Sequence, residues 1–203
     1  MILSHLALGF ITSYIGYTPP SMLNITASKI RIENNKRIAR QFILGASVIV
    51  LLQVIIAISL LAVVDDFPFL IIYIKKSAIL VFAVLSFIFL KKAFSKTKPT
   101  HPKLIKNGFL FGLSLSSINM FAIPFFAIAH SSFVMHNWVS TNITCTSYFG
   151  IGTVLGTFVV LNNYVYLAQK WKSKLTSFTK YFNLIIGSIT GFVAIFSAIK
   201  LYF

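Results

Sequence analysis

Acidic residues are almost missing from this chain of 203 residues: Glu33, Asp65 and Asp66 are the only three, against 18 Lys and Arg, for a net charge of +15. None of the three falls inside an apolar stretch, so the usual carboxylate proton carrier of a membrane antiporter is absent. Nor do they supply the His, Asp, Glu or Cys constellation that a membrane enzyme needs, and no metal or cofactor is expected. A single cysteine, Cys145, excludes an intramolecular disulfide, a thiol relay and a Cys-based metal site. Charge of either sign is missing from Met1 to Ser28. With no basic residue ahead of its apolar stretch, the N-terminus lacks the n-region of a cleaved signal and is expected to remain as the first span. Charged residues make up 10% of the chain and hydrophobic ones 57%, whereas soluble domains carry about 25% charge. The bilayer is therefore the solvent. The basic excess comes in blocks between apolar runs rather than on one folded face, which argues against a nucleic-acid partner.

What is present is organised around Gly16-Tyr17-Thr18-Pro19-Pro20-Ser21. Two adjacent prolines remove two backbone donors and clash with the preceding turn, so a continuous helix cannot pass through unchanged. From Pro20 to Lys29, the first charge, is about 14 Å of helix, roughly half of a hydrocarbon core. The break therefore falls near the membrane midplane, where freed backbone groups are tolerated only inside protein or beside a wet cavity. Interrupted helices of this kind are where transporters commonly hold substrate.

Apolar length gives six spans, at about 3–28, 41–64, 69–90, 107–129, 147–168 and 182–202. Fifteen of the 18 Lys and Arg fall in alternate loops: Lys29 to Arg40, Lys91 to Lys106, and Lys170 to Lys180. Those loops share one side of the membrane, the cytoplasmic one, which places both termini outside. Trp138 in the opposite, uncharged 130–146 segment is an interfacial anchor. The expected fold is thus all-α: one polytopic domain over 1–203, with halves of about 1–94 and 107–203. An odd number of spans per half makes the second half an inverted copy of the first. In that 3+3 repeat, Gly9-Phe10 pairs with Gly108-Phe109, Pro19-Pro20 with Ile118-Asn119, and Phe42-Ile43-Leu44-Gly45 with Phe149-Gly150-Ile151-Gly152.

Depth counted from Lys106 puts Ser116-Ser117-Ile118-Asn119 level with the proline break. Ser116 and Ser117 are expected to bond back to carbonyls one turn earlier and bend the helix. Asn119 is different, because a primary amide in hydrocarbon needs several partners. Glycine pairs at spacing four, Gly108/Gly112, Gly152/Gly156 and Gly187/Gly191, allow close helix approach. They are read as packing within one chain, with a homodimer face as the alternative.

These residues resemble a known family. Tyr17-Thr18-Pro19-Pro20-Ser21-Met22-Leu23-Asn24, a short basic loop and Phe42-Ile43-Leu44-Gly45-Ala46-Ser47 look like the first two spans of the LysE/RhtB superfamily of amino-acid exporters. Gly108-Phe109 through Ile118-Asn119 to Phe125-Phe126 resembles its second signature, and Gly187-Ser188-Ile189-Thr190-Gly191 its last span. The resemblance implies a plasma- or inner-membrane exporter of amino acids or related small polar metabolites. Two departures stand out: Tyr17-Thr18-Pro19-Pro20 replaces the family's Gly-Pro-Gly-Pro, and Asn119-Met120-Phe121 replaces Asn-Pro-Lys, so any role of that lysine does not carry over.

The candidate substrate-binding set is Thr18, Pro19, Pro20, Ser21 and Asn24 at the first break, Gln53 in the second span, Lys76 in the third, and Ser116 and Asn119 in the fourth. Two readings stay open for Lys75 and Lys76, snorkelling to the outer interface or facing a cavity to attract a carboxylate. Gln53, Asn162 and Asn163 either contact a polar substrate or join helices. His5 and His130, near the outer ends of their spans, are expected to be solvated interfacial residues, with a proton role as the alternative. A non-transporting scaffold or assembly factor is the competing function class.

Overall fold

The computed structural model describes residues 2–19, 21–66, 69–94, 105–119, 121–168, 170 and 175–202. They form eight α-helices: α1 Ile2–Tyr17, α2 Met22–Glu33, α3 Lys36–Asp66, α4 Leu70–Phe94, α5 Gly108–Ser117, α6 Ala122–Met135, α7 Ile143–Leu167 and α8 Leu175–Tyr202. No strand occurs among the described residues. The chain divides into two compact units, Met1–Ala62 with Pro102–Lys172, and Val63–His101 with Ser173–Phe203.

Three helical stretches are long and apolar enough to cross a membrane: Lys36–Leu61, Ile143–Leu167 and Asn183–Leu201. A fourth appears if α5 and α6, bent by 68° across their break, are counted as one span. The expectation of six uninterrupted apolar spans differs from this for a physical reason. The first expected span is two helices, of which α1 has only 16 residues and α2 carries Lys29 and Arg31. In α4, itself 25 residues long, Phe82–Lys91 is the apolar stretch found among the described residues.

The helix ends follow local chemistry. Asn35, Asn107 and Asn142 each turn a side-chain oxygen onto the first free amides of α3, α5 and α7, at 2.9, 3.1 and 2.9 Å. At the end of α6 the Trp138 N–H reaches Phe133 O and the Asn137 N–H reaches Val134 O. Asn137 takes the left-handed conformation, φ 58°, and the Trp138 and Phe133 rings stack at 5.8 Å. That is a Schellman closure with its hydrophobic contact, using Asn where Gly is commoner.

In the larger unit, α3 buries Ala39, Phe42, Ile43, Ala46, Val50, Gln53, Val54 and Ala57, a stripe at spacings of three and four. Its opposite face exposes Leu44, Val48, Leu52, Ile55 and Ile56. Apolar side chains on both faces are the mark of a helix solvated by lipid rather than water. The core gathers this stripe with Tyr17, Leu23, Ala27, Phe126, Phe149 and Leu161.

Glycine sets the helix contacts, and two of these contacts repeat one pattern. A Cβ on Gly9 of α1 would collide with Phe149 O of α7, and one on Gly152 with the backbone at Leu6 and Phe10. A Cβ on Gly112 of α5 would collide with Phe42 O of α3, and one on Gly45 with the backbone at Phe109 and Leu113. Leu6, Gly9 and Phe10 thus stand to Phe149 and Gly152 as Phe109, Gly112 and Leu113 stand to Phe42 and Gly45. The contacts pair Gly9 with Gly112, one helical turn beyond the Gly108 of the sequence alignment; a run with glycine at both positions offers two registers. In the smaller unit Gly187 and Gly191 of α8 lie against Leu90 and Ser86 of α4, and Ser86 Oγ donates to Gly187 O at 2.7 Å.

These close approaches predict a sharp contrast. Gly45→Val and Gly152→Val drive a branched side chain into a neighbouring backbone, which costs about 1–3 kcal/mol or more. Gly150→Ala meets only the Leu51 methyl, at 3.3 Å, and is tolerated. Thermal unfolding followed by size-exclusion chromatography in detergent measures this; equal melting of all three proteins would contradict the packing.

Candidate functional site

Two helix breaks face each other inside the larger unit. At the first, α1 stops at Tyr17 and α2 starts after Ser21, whose extended backbone and hydroxyl cap the new helix. A helix end leaves carbonyls without partners, and here those of Tyr14, Ile15, Tyr17, Thr18 and Pro19 are met. Thr18 Oγ1 donates to Tyr14 O at 2.6 Å and the Thr18 N–H to Ile15 O at 3.2 Å. Tyr164 Oη, from α7, donates to Thr18 O at 2.8 Å. The fully buried Asn24 amide donates to Tyr17 O and to Pro19 O, the latter at 2.9 Å. Its Oδ1 accepts from Ser21 Oγ at 2.9 Å.

The second break, between Ser117 and Ala122, is closed the same way from a different helix. Gln53 of α3 donates its amide hydrogens to Ser116 O and Asn119 O, both at 3.0 Å. Each break is therefore clipped by one buried primary amide that donates to two carbonyls, those at the second break also accepting the Asn119 and Ala122 N–H. Ser116 departs from its expected back-bond: its hydroxyl reaches across to Ala46 O of α3 at 3.2 Å, because Gly112 brings the two helices close enough. Ser117 does bond back, to Leu113 O at 2.8 Å. Ser13, four residues from Gly9 as Ser116 is from Gly112, likewise bonds across, its hydroxyl donating to Thr157 Oγ1 at 2.6 Å while Thr157 donates to Thr153 O.

The breaks touch through Gly16, which lies against the Phe125 ring of α6, and through Tyr17, whose hydroxyl faces the Asn119 side chain. That hydroxyl is buried and closes no hydrogen bond, and Gln53 Oε1 is buried with no partner either. Each such atom costs about 1–3 kcal/mol relative to a bonded one. The half-buried Asn119 amide lies between them: Tyr17 Oη faces its side chain and the Gln53 amide holds its carbonyl. Together they offer a hydroxyl, an amide and a bare carbonyl oxygen at the meeting of two helix ends.

The remaining sequence candidates separate from this cluster. Asn24 and Ser21 are consumed by the clip, and Thr18 and Pro19 contribute backbone carbonyls already bonded. Pro20 lies outside the described residues, as does the Lys75 side chain. Lys76 is exposed on α4 of the smaller unit. Asn162 bonds back to Phe158 O at 2.9 Å. Asn163 lines a half-open groove of about 290 Å³ with Tyr14, Thr18, Val160, Tyr164, Tyr166 and Leu167. The groove reaches Thr18 from the α7 side. The expectation of solvated histidines is corrected: His5 is 1% and His130 2% exposed. Ser140 of the α6–α7 connection covers the His5 ring and Phe149 packs on the His130 ring, which distance from a span end does not reveal.

Tyr17 and Tyr164 were not among the sequence candidates. The available signal was their hydroxyls, since a phenol in an apolar span has a polar end that needs a partner. No family model, no curated protein and no solved structure matches the chain.

Proposed function

We propose that the chain is a six-span membrane transporter of the LysE/RhtB kind, exporting amino acids or related small polar metabolites from the cytoplasm. The observation that carries this reading is the convergence of two helix breaks on Tyr17 Oη, Gln53 Oε1 and the Asn119 amide, two of them buried without partners. An amino acid matches that set: its ammonium group donates to Gln53 Oε1, and its carboxylate accepts from Tyr17 Oη and the Asn119 amide. In this reading α1 with α2 is the first span and α5 with α6 the fourth. The matched glycine contacts of α1 on α7 and α5 on α3, and the matched amide clips, support the 3+3 inverted repeat. The basic loops lie in the cytoplasm and both termini outside.

The scaffold reading has its own support, since Asn24 has no donor left for a ligand. Efflux of preloaded radiolabelled amino acids from cells or vesicles decides between them, with faster loss expected when the protein is present. On a Cys145→Ser background, Thr141→Cys is expected to react with an impermeant thiol reagent in intact cells and Asn35→Cys to be shielded. No efflux from a well-expressed protein moves the assignment to the scaffold; reversed labelling overturns the orientation.

A further inference from the structure

The half-open groove of about 290 Å³ lies in the larger unit, between the end of α1 and the last turns of α7. Its walls are fixed by contacts of their own. The Tyr14 ring stacks on Phe10 at 5.8 Å. Tyr164 is held twice: its hydroxyl donates to Thr18 O at 2.8 Å, and its carbonyl accepts from Ser28 Oγ of α2 at 3.1 Å. Asn163 is the unexplained member. Asn162, beside it, turns back one turn and donates to Phe158 O at 2.9 Å. Asn163 has Val159 O in the same relation, yet it is exposed in the groove and has no hydrogen-bond partner among the described residues. The Tyr14 and Tyr166 hydroxyls have none there either. A primary amide against hydrocarbon forfeits its hydrogen bonds, so this one faces water or a ligand.

We propose that the groove is a water-filled cleft and a binding site for a small carboxylate with an apolar body. The carboxylate accepts from the Asn163 amide and a tyrosine hydroxyl, and the apolar body lies on Val160, Leu167 and the tyrosine rings. The sign of the ligand's charge follows from the surroundings. No residue of α1 or α7 is acidic, no lining side chain is charged, and the chain after α7 runs through Lys170, Lys172 and Lys174, whose field favours an anion. A cationic end finds no counter-charge on these walls. The volume sets the size, since small-molecule sites run from about 300 to 1,000 Å³ and this groove stands at the lower edge. It shares no lining residue with the cluster of Tyr17, Gln53 and Asn119. As a consequence that rests on the export reading, the groove is where a solute from the cytoplasm waits before it meets the first break.

The test is thiol labelling in membrane vesicles of either sidedness, on the Cys145→Ser background, with a cationic and impermeant methanethiosulfonate reagent. Thr18→Cys and Asn163→Cys are expected to react from the same face as Asn35→Cys and within about tenfold of its rate. Ile15→Cys, exposed on α1 outside the groove, is expected to be at least about 100-fold slower, because the reagent's charge must enter hydrocarbon to reach it. A groove filled by a lipid chain leaves all three slow. That result, labelling from the opposite face, or equally fast labelling at Ile15→Cys each overturns the proposal. Asn163 closes no bond, so its variant keeps the fold and carries the test alone if Thr18→Cys lowers membrane levels. Competitors then identify the ligand class. Phenylpropionate at about 10 mM is expected to slow Asn163→Cys at least about threefold without slowing Asn35→Cys. Phenethylamine, the same ring with a cationic end, is expected to leave both unchanged. Equal protection by the amine, or none by the acid, removes the carboxylate site. Neither measurement needs efflux, so a protein that labels and binds as described yet moves no amino acid sinks the export reading alone.

Discussion

Tyr17→Phe is expected to leave the protein as stable as before, or more so, and to cut efflux by about 10- to 100-fold. The direction of the first effect follows from burial. The hydroxyl lies in the core with no partner, so deleting it removes an unsatisfied group and leaves the ring packing intact. The size of the second follows from a hydrogen bond to a charged ligand group, about 1.5–3 kcal/mol, at about 1.4 kcal/mol per factor of ten. Asn119→Leu is the companion change. It removes the side-chain amide but keeps the backbone carbonyl that Gln53 holds, so the clip survives. Normal membrane levels with lost efflux are expected for both. A variant that melts earlier and transports normally would show that these groups serve packing alone, and would empty the site.

The sequence made the first break plain, because two prolines leave a helix no alternative, and it marked the second by depth and by a polar run. Which amide does what was beyond it. Asn24 and Gln53 both stand in the candidate substrate-binding set, yet Asn24 spends both hydrogens on the turn just before it while Gln53 spends its own on a helix far along the chain. Sequence spacing does not distinguish an amide that closes a local turn from one that closes a distant one. The same limit hid Tyr17. Its neighbourhood is assembled from α1, α3 and the α5–α6 break, and only packing brings them together. The glycine contacts match one turn away from the sequence pairing for a simpler reason, since Gly108 and Gly112 both fit the motif and only packing decides which one meets Phe42. Histidine burial failed for the opposite cause: position along a span fixes depth, but the α6–α7 connection folds back over His5 through Ser140.

The two clips carry the second large effect. In Gln53→Leu the carbonyls of Ser116 and Asn119 each lose one of two donors and keep the Asn119 and Ala122 N–H, so each lost bond costs about 0.5–1.5 kcal/mol. Against a total stability of about 5–15 kcal/mol, that loss is expected to lower the melting temperature in detergent clearly and to reduce the amount of protein in the membrane. Asn24→Leu orphans Tyr17 O and Pro19 O and is expected to act alike. The two differ in what transport does per folded molecule. Asn24 has no free donor and its oxygen is held by Ser21, so the efflux remaining in Asn24→Leu should track the folded fraction. Gln53 also presents Oε1 to the site, so Gln53→Leu should lose efflux well beyond its loss of folded protein. Efflux normalised to folded protein separates the cases. Equal normalised activity in both variants would reduce Gln53 to a second structural clip and leave Tyr17 and Asn119 to hold the substrate without it.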